Sequence, residues 1–158
     1  MEKHIFIDVS ILIHKCYHVM DHLETSDGRS SGMEFGVLKS IQKWDQMYDT
    51  LTLCFDHYST ASRTDGYKAG RSRKPDEFYE RANKLKTALK LKYWWCEQKG
   101  VEADTLLHTL AVQPMKKHAK GERAILTNDY DLMQSIQPGV TVIRTNRGKE
   151  TEWDEEML

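Results

Sequence analysis

Short apolar runs alternate along this chain with stretches of helical periodicity, and that alternation restricts the fold more than any other feature. His4–Asp8 reads as a short buried strand, and Leu51–Asp56, Tyr93–Cys96, Arg123–Thr127 and Val140–Ile143 read as four more. Between them lie one-sided helical stripes. Ile11, Leu12, Cys16 and Met20 carry the first, with Ser10 as its expected cap, and Val37, Leu38, Ile41 and Trp44 the second. Phe78, Ala82, Leu85 and Leu89 follow Pro75, expected at the first helical position. Ala103, Leu106, Leu107, Leu110 and Ala111 form the fourth stripe, expected to stop before Pro114. A short helix around Leu132–Ile136, a hairpin turn at Asn146-Arg147-Gly148 and a helix start at Asp154-Glu155-Glu156 complete the reading. Strands alternating with helices predict an α/β domain, a mainly parallel central sheet with helices on both faces.

Length and charge narrow the possibilities. The 158 residues suit one domain with one continuous core. The formal charge of -1 hides an uneven distribution. Between Ala61 and Lys92 stand Arg63, Lys68, Arg71, Arg73, Lys74, Arg81, Lys84, Lys86, Lys90 and Lys92, against only Asp65, Asp76, Glu77 and Glu80. That segment is the footprint expected for a polyanion partner. Cys16, Cys54 and Cys96 have neither zinc-ligand spacing nor a disulfide framework, which predicts a reducing compartment. No apolar stretch approaches the ~18 residues of a membrane span, and no signal peptide fits. The expectation is a cytoplasmic protein with no membrane partner.

Acids cluster at the points where strands end. Asp8 and Asp56 close two predicted strands, Asp129 and Asp131 follow a third, and Glu102 and Asp104 sit in the turn Gly100-Val101-Glu102-Ala103-Asp104-Thr105. Each has a local explanation. Asp104 reads as a helix N-cap with Glu102 favouring the dipole, Asp129 as an N-cap with Asp131 in the first turn, and Asp8 as a cap of the first helix. Asp56 reads as the start of a turn with His57. Jointly they say more, because open parallel sheets build their sites at the carboxyl ends of strands. The i, i+2 spacing of Glu102/Asp104 and Asp129/Asp131 points both side chains one way in extended backbone. Two carboxylates ~4 Å apart repel by ~4 kcal/mol at an effective dielectric of ~20. Divalent cations relieve that repulsion, and an oxygen-only donor set favours Mg²⁺ or Mn²⁺ over zinc. Two such ions activate water and stabilise a leaving oxygen in phosphodiester hydrolysis. The basic loop beside them could grip phosphates, with Tyr67 stacking on an unpaired base.

Several motifs now line up: FID with Ser10 at Phe6–Ser10, YH at Tyr17–His18, SGMEFGVL at Ser31–Leu38, FD at Phe55–Asp56, YKAGR at Tyr67–Arg71, GVEAD at Gly100–Asp104 and TNDYDLMQ at Thr127–Gln134. In this order the chain resembles the 5′ nucleases, the family of flap endonucleases, phage 5′ exonucleases and the 5′ nuclease domain of bacterial DNA polymerase I. The resemblance runs from Ile5 to about Met157. It implies a PIN-like fold with a basic arch-like segment, and an enzyme that hydrolyses DNA with a free or flapped 5′ end in a bacterial or phage-infected cell. It also implies that Asp8, Asp56, Glu102, Asp104, Asp129 and Asp131 are ligands of Mg²⁺ or Mn²⁺, two ions being expected. Lys68 and Arg71 match basic residues that contact the scissile phosphate, Arg63 and Tyr67 are further carry-overs of the same kind, and Arg73 and Lys74 join them as nucleic-acid contacts on the charge of the loop alone, with Asp104 expected to carry catalysis. Thr105 stands where bacterial and phage members usually have a second Asp, and Asn128 replaces a common Gly. The family continues past this point into a duplex-binding helix–three-turn–helix region, so residues 1–158 are expected to be a single nuclease domain lacking it, with a second chain or oligomer as its replacement. Two alternatives remain on the sequence, a non-catalytic nucleic-acid-binding module of the same fold and a PIN-class RNase.

Overall fold

The computed structural model describes residues 2–20, 31–57, 74–113, 121–146 and 149–157. Six strands form one sheet: β1 (Glu2–Asp8), β2 (Thr50–Cys54), β3 (Trp94–Cys96), β4 (Gly121–Leu126), β5 (Val140–Asn146) and β6 (Lys149–Trp153). Their order across the sheet is β3-β2-β1-β4-β5-β6, parallel throughout except for the β5–β6 hairpin. The chain therefore winds outward from β1 to β3 and then returns to the far side of β1 for β4 and β5. The reversal falls between β1 and β4, where open α/β sheets leave a crevice at their carboxyl ends.

Alternation along the strands sorts the core into two layers. Ile5, Ile7, Leu51, Leu53, Ala124, Leu126 and Ile143 face α1 (Val9–Met20), α2 (Gly32–Met47) and α3 (Asp76–Lys92). Cys54, Ile125, Val140 and Val142 face the opposite way, against α4 (Ala103–Val112) and the 3₁₀ turn Tyr130–Ser135. Side chains of period two on strands and one-sided stripes on helices produce this sandwich, and the predicted α/β class with helices on both faces is the observed one. Gly121 is required where β4 meets β1, since a Cβ there would lie 2.3 Å from the carbonyl oxygen of Glu2. Arg123 stops α4 from the neighbouring strand by donating to the carbonyls of Leu110, Ala111 and Gln113.

Local departures from the sequence reading have identifiable causes. Pro75 lies just outside α3 rather than at its first position: with ψ at 149° it is extended, and its carbonyl accepts from the N–H of Phe78. Ser10 does not cap α1, because Val9 already begins the helix and its hydroxyl is used elsewhere. The β6 strand, invisible to an apolar pattern because its burial is slight, extends the expected hairpin. The third strand keeps only Trp94–Cys96 and occupies the outer edge. All three cysteines are free thiols. No described helix is long and apolar enough to cross a membrane.

Candidate active site

The topology brings the predicted acids to one rim. Asp8 is the last residue of β1, and Asp56 stands two residues past β2. Glu102 and Asp129 occupy the positions immediately before α4 and before the 3₁₀ turn Tyr130–Ser135, and Asp104 and Asp131 are the second residues inside. The i, i+2 pairs thus straddle helix entrances. Only the first acid of each pair is extended, with φ/ψ of -76°/153° at Glu102 and -78°/118° at Asp129, which corrects the extended-strand explanation of their spacing.

The capping roles are also redistributed. Neither Asp104 nor Glu102 caps α4 with its side chain. The N–H of Ala103 donates instead to Asp56 Oδ1 at 2.6 Å, while Ser10 Oγ donates to Asp56 Oδ2 at 2.6 Å. An acid 47 residues upstream therefore pins the entrance of α4 and ties it to α1. Gly100, with φ of +74°, makes the turn that delivers Glu102, and its N–H donates to His57 Nδ1. Asp104 Oδ1 accepts from the N–H of Thr105 at 2.7 Å. On the other side of the crevice Asp129 does cap its turn, accepting from the N–H of Asp131 at 2.9 Å.

Asp8 forms the floor. It is buried, and Thr127 Oγ1 donates to its Oδ2 at 3.3 Å while accepting from the N–H of Asp129 at 3.1 Å. One buried hydroxyl thus links the carboxylate at the end of β1 to the backbone of Asp129 beyond β4. Among the described residues the other oxygen, Oδ1, is buried with no hydrogen-bond partner. Burial first, then the charge of Asp56, raises the Asp8 carboxyl from 3.8 to about 7, against the pull of a backbone hydrogen bond at Ile11. The Glu102 carboxyl is also raised, by burial and by the charges of Asp104, Asp56 and Asp129. Asp8, Asp56, Glu102, Asp104 and Asp129 therefore feel one another's charge. Asp131 is exposed at the outer lip, lining with Asp104, Thr105 and His108 a shallow pocket of about 150 Å³.

All six acids accordingly share the rim, although among the described residues no three of them close into a cage ready to hold an ion. The donor set is oxygen only, and a buried carboxylate oxygen without a hydrogen bond is what a hard cation would satisfy. The chemistry of the residues present fits a hard divalent cation.

The basic segment is less uniform than its charge count. Arg63, Tyr67, Lys68, Arg71 and Arg73 lie outside the described residues. Lys74 is placed at the entrance to α3, its ammonium 5.2 Å from the Phe78 ring centroid. Further along, Arg81 forms a two-pronged bridge to Glu34 of α2 at 2.7 Å and 2.7 Å, and Lys86 and Lys90 both pair with Glu97. Those cations hold helices in place rather than wait for a polyanion. Sequence reading missed Thr127 and Ser10 as supports of the acids. Thr127 opens the TNDYDLMQ motif and Ser10 closes the FID motif, usable signals both, although neither motif tells which acid the hydroxyl meets. It also missed Arg144, whose guanidinium lies 3.5 Å from the Tyr130 ring centroid and donates to the carbonyl of Asn128.

DNA polymerase I of Pseudomonas aeruginosa is 28% identical over 160 residues, a match covering 95% of this chain and 17% of that protein. The 5′-3′ exonuclease of Buchnera aphidicola subsp. Schizaphis graminum is 26% identical over 151 residues, covering 90% of this chain and 52% of the relative. The chain thus spans at most about half the length of either relative. Among solved structures, T5 D15 protein co-crystallised with metal ions shares the fold with a TM-score of 0.67 at 12% identity, over 94% of this chain and 57% of that one. The family model described as 5′-3′ exonuclease, N-terminal resolvase-like domain matches residues 3–158. An acidic rim at the switch point, on a fold shared with a phage nuclease and matched almost end to end by that model, leads to one conclusion: the chain belongs to the 5′-3′ exonuclease N-terminal resolvase-like domain family.

Proposed function

We propose that this chain is the catalytic domain of a divalent-metal-dependent 5′ nuclease that hydrolyses DNA phosphodiesters near a free or flapped 5′ end. The observation that carries the reading is the convergence of Asp8, Asp56, Glu102, Asp104 and Asp129 from four chain segments onto one rim, around a buried Asp8 Oδ1 that has no hydrogen-bond partner among the described residues. Asp8 and Asp104 would hold Mg²⁺ or Mn²⁺ with Asp56, Glu102, Asp129 and Asp131 around them, in one or two sites. Such ions, when bound, supply Lewis acidity and water activation for phosphoryl transfer. The chain's own part is positional. Thr127 orients Asp8, Ser10 and the α4 entrance hold Asp56, and Asp131 at the lip meets the substrate side. In the reaction a water oxygen bonds to phosphorus as the P–O bond to the leaving nucleotide breaks, and the leaving oxygen gains the proton. Lys68 and Arg71 are assigned by family likeness to offset the charge that develops on the phosphate.

Purified protein with Mn²⁺ and a 5′-labelled flap, a gapped duplex and a single strand tests the proposal. Metal-dependent release of 5′ fragments, lost in Asp104→Ala with the fold retained, is the expected result. Binding without cleavage at any metal concentration would overturn it in favour of a non-catalytic module, and cleavage of RNA alone would make the chain an RNase.

A further inference from the structure

Tyr130 stands between Asp129 and Asp131, two acids of the rim, and the chemistry assigned to the rim leaves its ring unused. The residue is 70% exposed. A single exposed ring is ordinary on a protein surface, but this one is held in place. The Arg144 guanidinium lies 3.5 Å from its centroid, covering one face of the ring and leaving the other open to solvent. Arg144 is itself fixed, since its Nη2 donates to the carbonyl of Asn128 at 3.2 Å. The Asn128 side chain closes the arrangement, its Oδ1 accepting from the N–H of Thr145 at 2.9 Å. Asn128 thus clamps β5 to the loop that carries Asp129, and through Arg144 that clamp sets the plane of the Tyr130 ring.

Shape and charge select what the open face meets. Among the described residues Arg144 touches a carbonyl and a ring rather than a carboxylate, so its positive charge stays available behind the stack. A flat group arriving from the outer side completes a third layer, and an attached phosphate is drawn toward the guanidinium. A nucleotide carries both. Any phosphate positioned by Asp129 and Asp131 also brings its own nucleotide within reach of a ring on the residue between them. We propose that Tyr130 is a substrate contact whose outer face stacks on a nucleobase next to the scissile phosphate, with Arg144 as the fixed layer behind it. This inference rests on the reading of the rim as a nuclease centre and adds a selectivity to it. A base inside a duplex already has both faces covered, so the contact favours a nucleotide that is terminal or unpaired. Because the ring is held before the substrate arrives, little side-chain freedom is lost on binding.

The test pairs a protein change with a substrate change. A series of 5′-flap DNAs, each with one abasic residue at a successive position across the flap junction, is bound to the protein in Ca²⁺ and followed by fluorescence anisotropy. Cleavage of the same series is followed in Mn²⁺. One abasic position should weaken binding by wild type roughly tenfold, and Tyr130→Ala should weaken binding of intact DNA by a similar factor. Combined, the two should cost no more than either alone, because they remove the same contact. Tyr130→Phe should bind as wild type does. Calorimetric Mn²⁺ affinity should be unchanged in Tyr130→Ala, which separates a contact to DNA from support of the neighbouring acids. Intact affinity in Tyr130→Ala, losses that multiply when combined, or a parallel loss of Mn²⁺ affinity would each overturn the proposal. So would failure of wild type to bind the DNA. Binding with the expected coupling but no cleavage in Mn²⁺ would support the stacking contact and overturn the nuclease reading. Cleavage without the coupling would do the reverse.

Discussion

At the scale of single residues, Asp8 and Thr127 hold the account's chemistry. The Asp8 carboxyl is raised to about 7 in the fold against 3.8 when free. Between those values the folded protein holds a proton that the unfolded chain has released, so metal-free stability from this group is full below about pH 4 and declines as pH rises through 7. Denaturant titrations in EDTA should therefore show a loss on the order of a few kcal/mol between pH 5 and 7.5. Asp8→Asn should flatten that slope, and so should saturating Mn²⁺, because a cation favours the carboxylate form. A slope unchanged by Asp8→Asn would contradict the assignment. Thr127, 1% exposed, joins Asp8 to Asp129. Thr127→Val keeps its shape and removes both bonds, which should cost about 1–3 kcal/mol. The same change should weaken Mn²⁺ binding by roughly 10–100-fold, as loss of a supporting partner does, and an unaltered affinity would show that Thr127 serves only the fold.

Elements show where sequence pattern ran out. The strands, the helix stripes and the acids at strand ends were readable because each is local: an apolar run, a 3.6-residue period, a residue following a strand. The union of Asp56 with α4 was not, since it spans 47 residues and depends on β2 and α4 meeting in space. Asp104 reads as the cap because it stands just before Leu106 and Leu107, yet the helix begins at Ala103, whose N–H donates to Asp56, a residue beyond the end of β2. For the same reason the basic run from Arg81 to Lys90 overstated its availability. Glu34 and Glu97 lie outside that run, and only folding shows that they meet its cations. The double duty of Asp56 gives a separable prediction. Asp56→Asn should keep a cap oxygen for Ala103 and leave stability nearly unchanged, whereas Asp56→Ala should lose about 1 kcal/mol. Both should impair metal binding. Thermal melts and Mn²⁺ titrations on the pair distinguish the structural role from the ligand role, and equal stability of the two variants would remove the first.

For the whole molecule, the winding order does what no single motif does: it reverses between β1 and β4 and so gathers acids from four segments at one rim. Placing those carboxylates together in a half-buried crevice is unfavourable until something positive shares it. Cation binding should consequently stabilise the fold as a unit, by about 2.7 kcal/mol when Mg²⁺ stands at ~100 times its Kd, and a melting temperature indifferent to Mg²⁺ would count against a formed site. The most direct measurement is a calorimetric Mn²⁺ titration of wild type beside Asp104→Ala and Asp8→Asn, each first shown by circular dichroism to be folded. Saturable binding by wild type, weakened at least tenfold in both variants although one acid ends β1 and the other lies in α4, is the predicted result. Equal Mn²⁺ affinity in all three proteins would contradict the claim that the rim exists to hold metal.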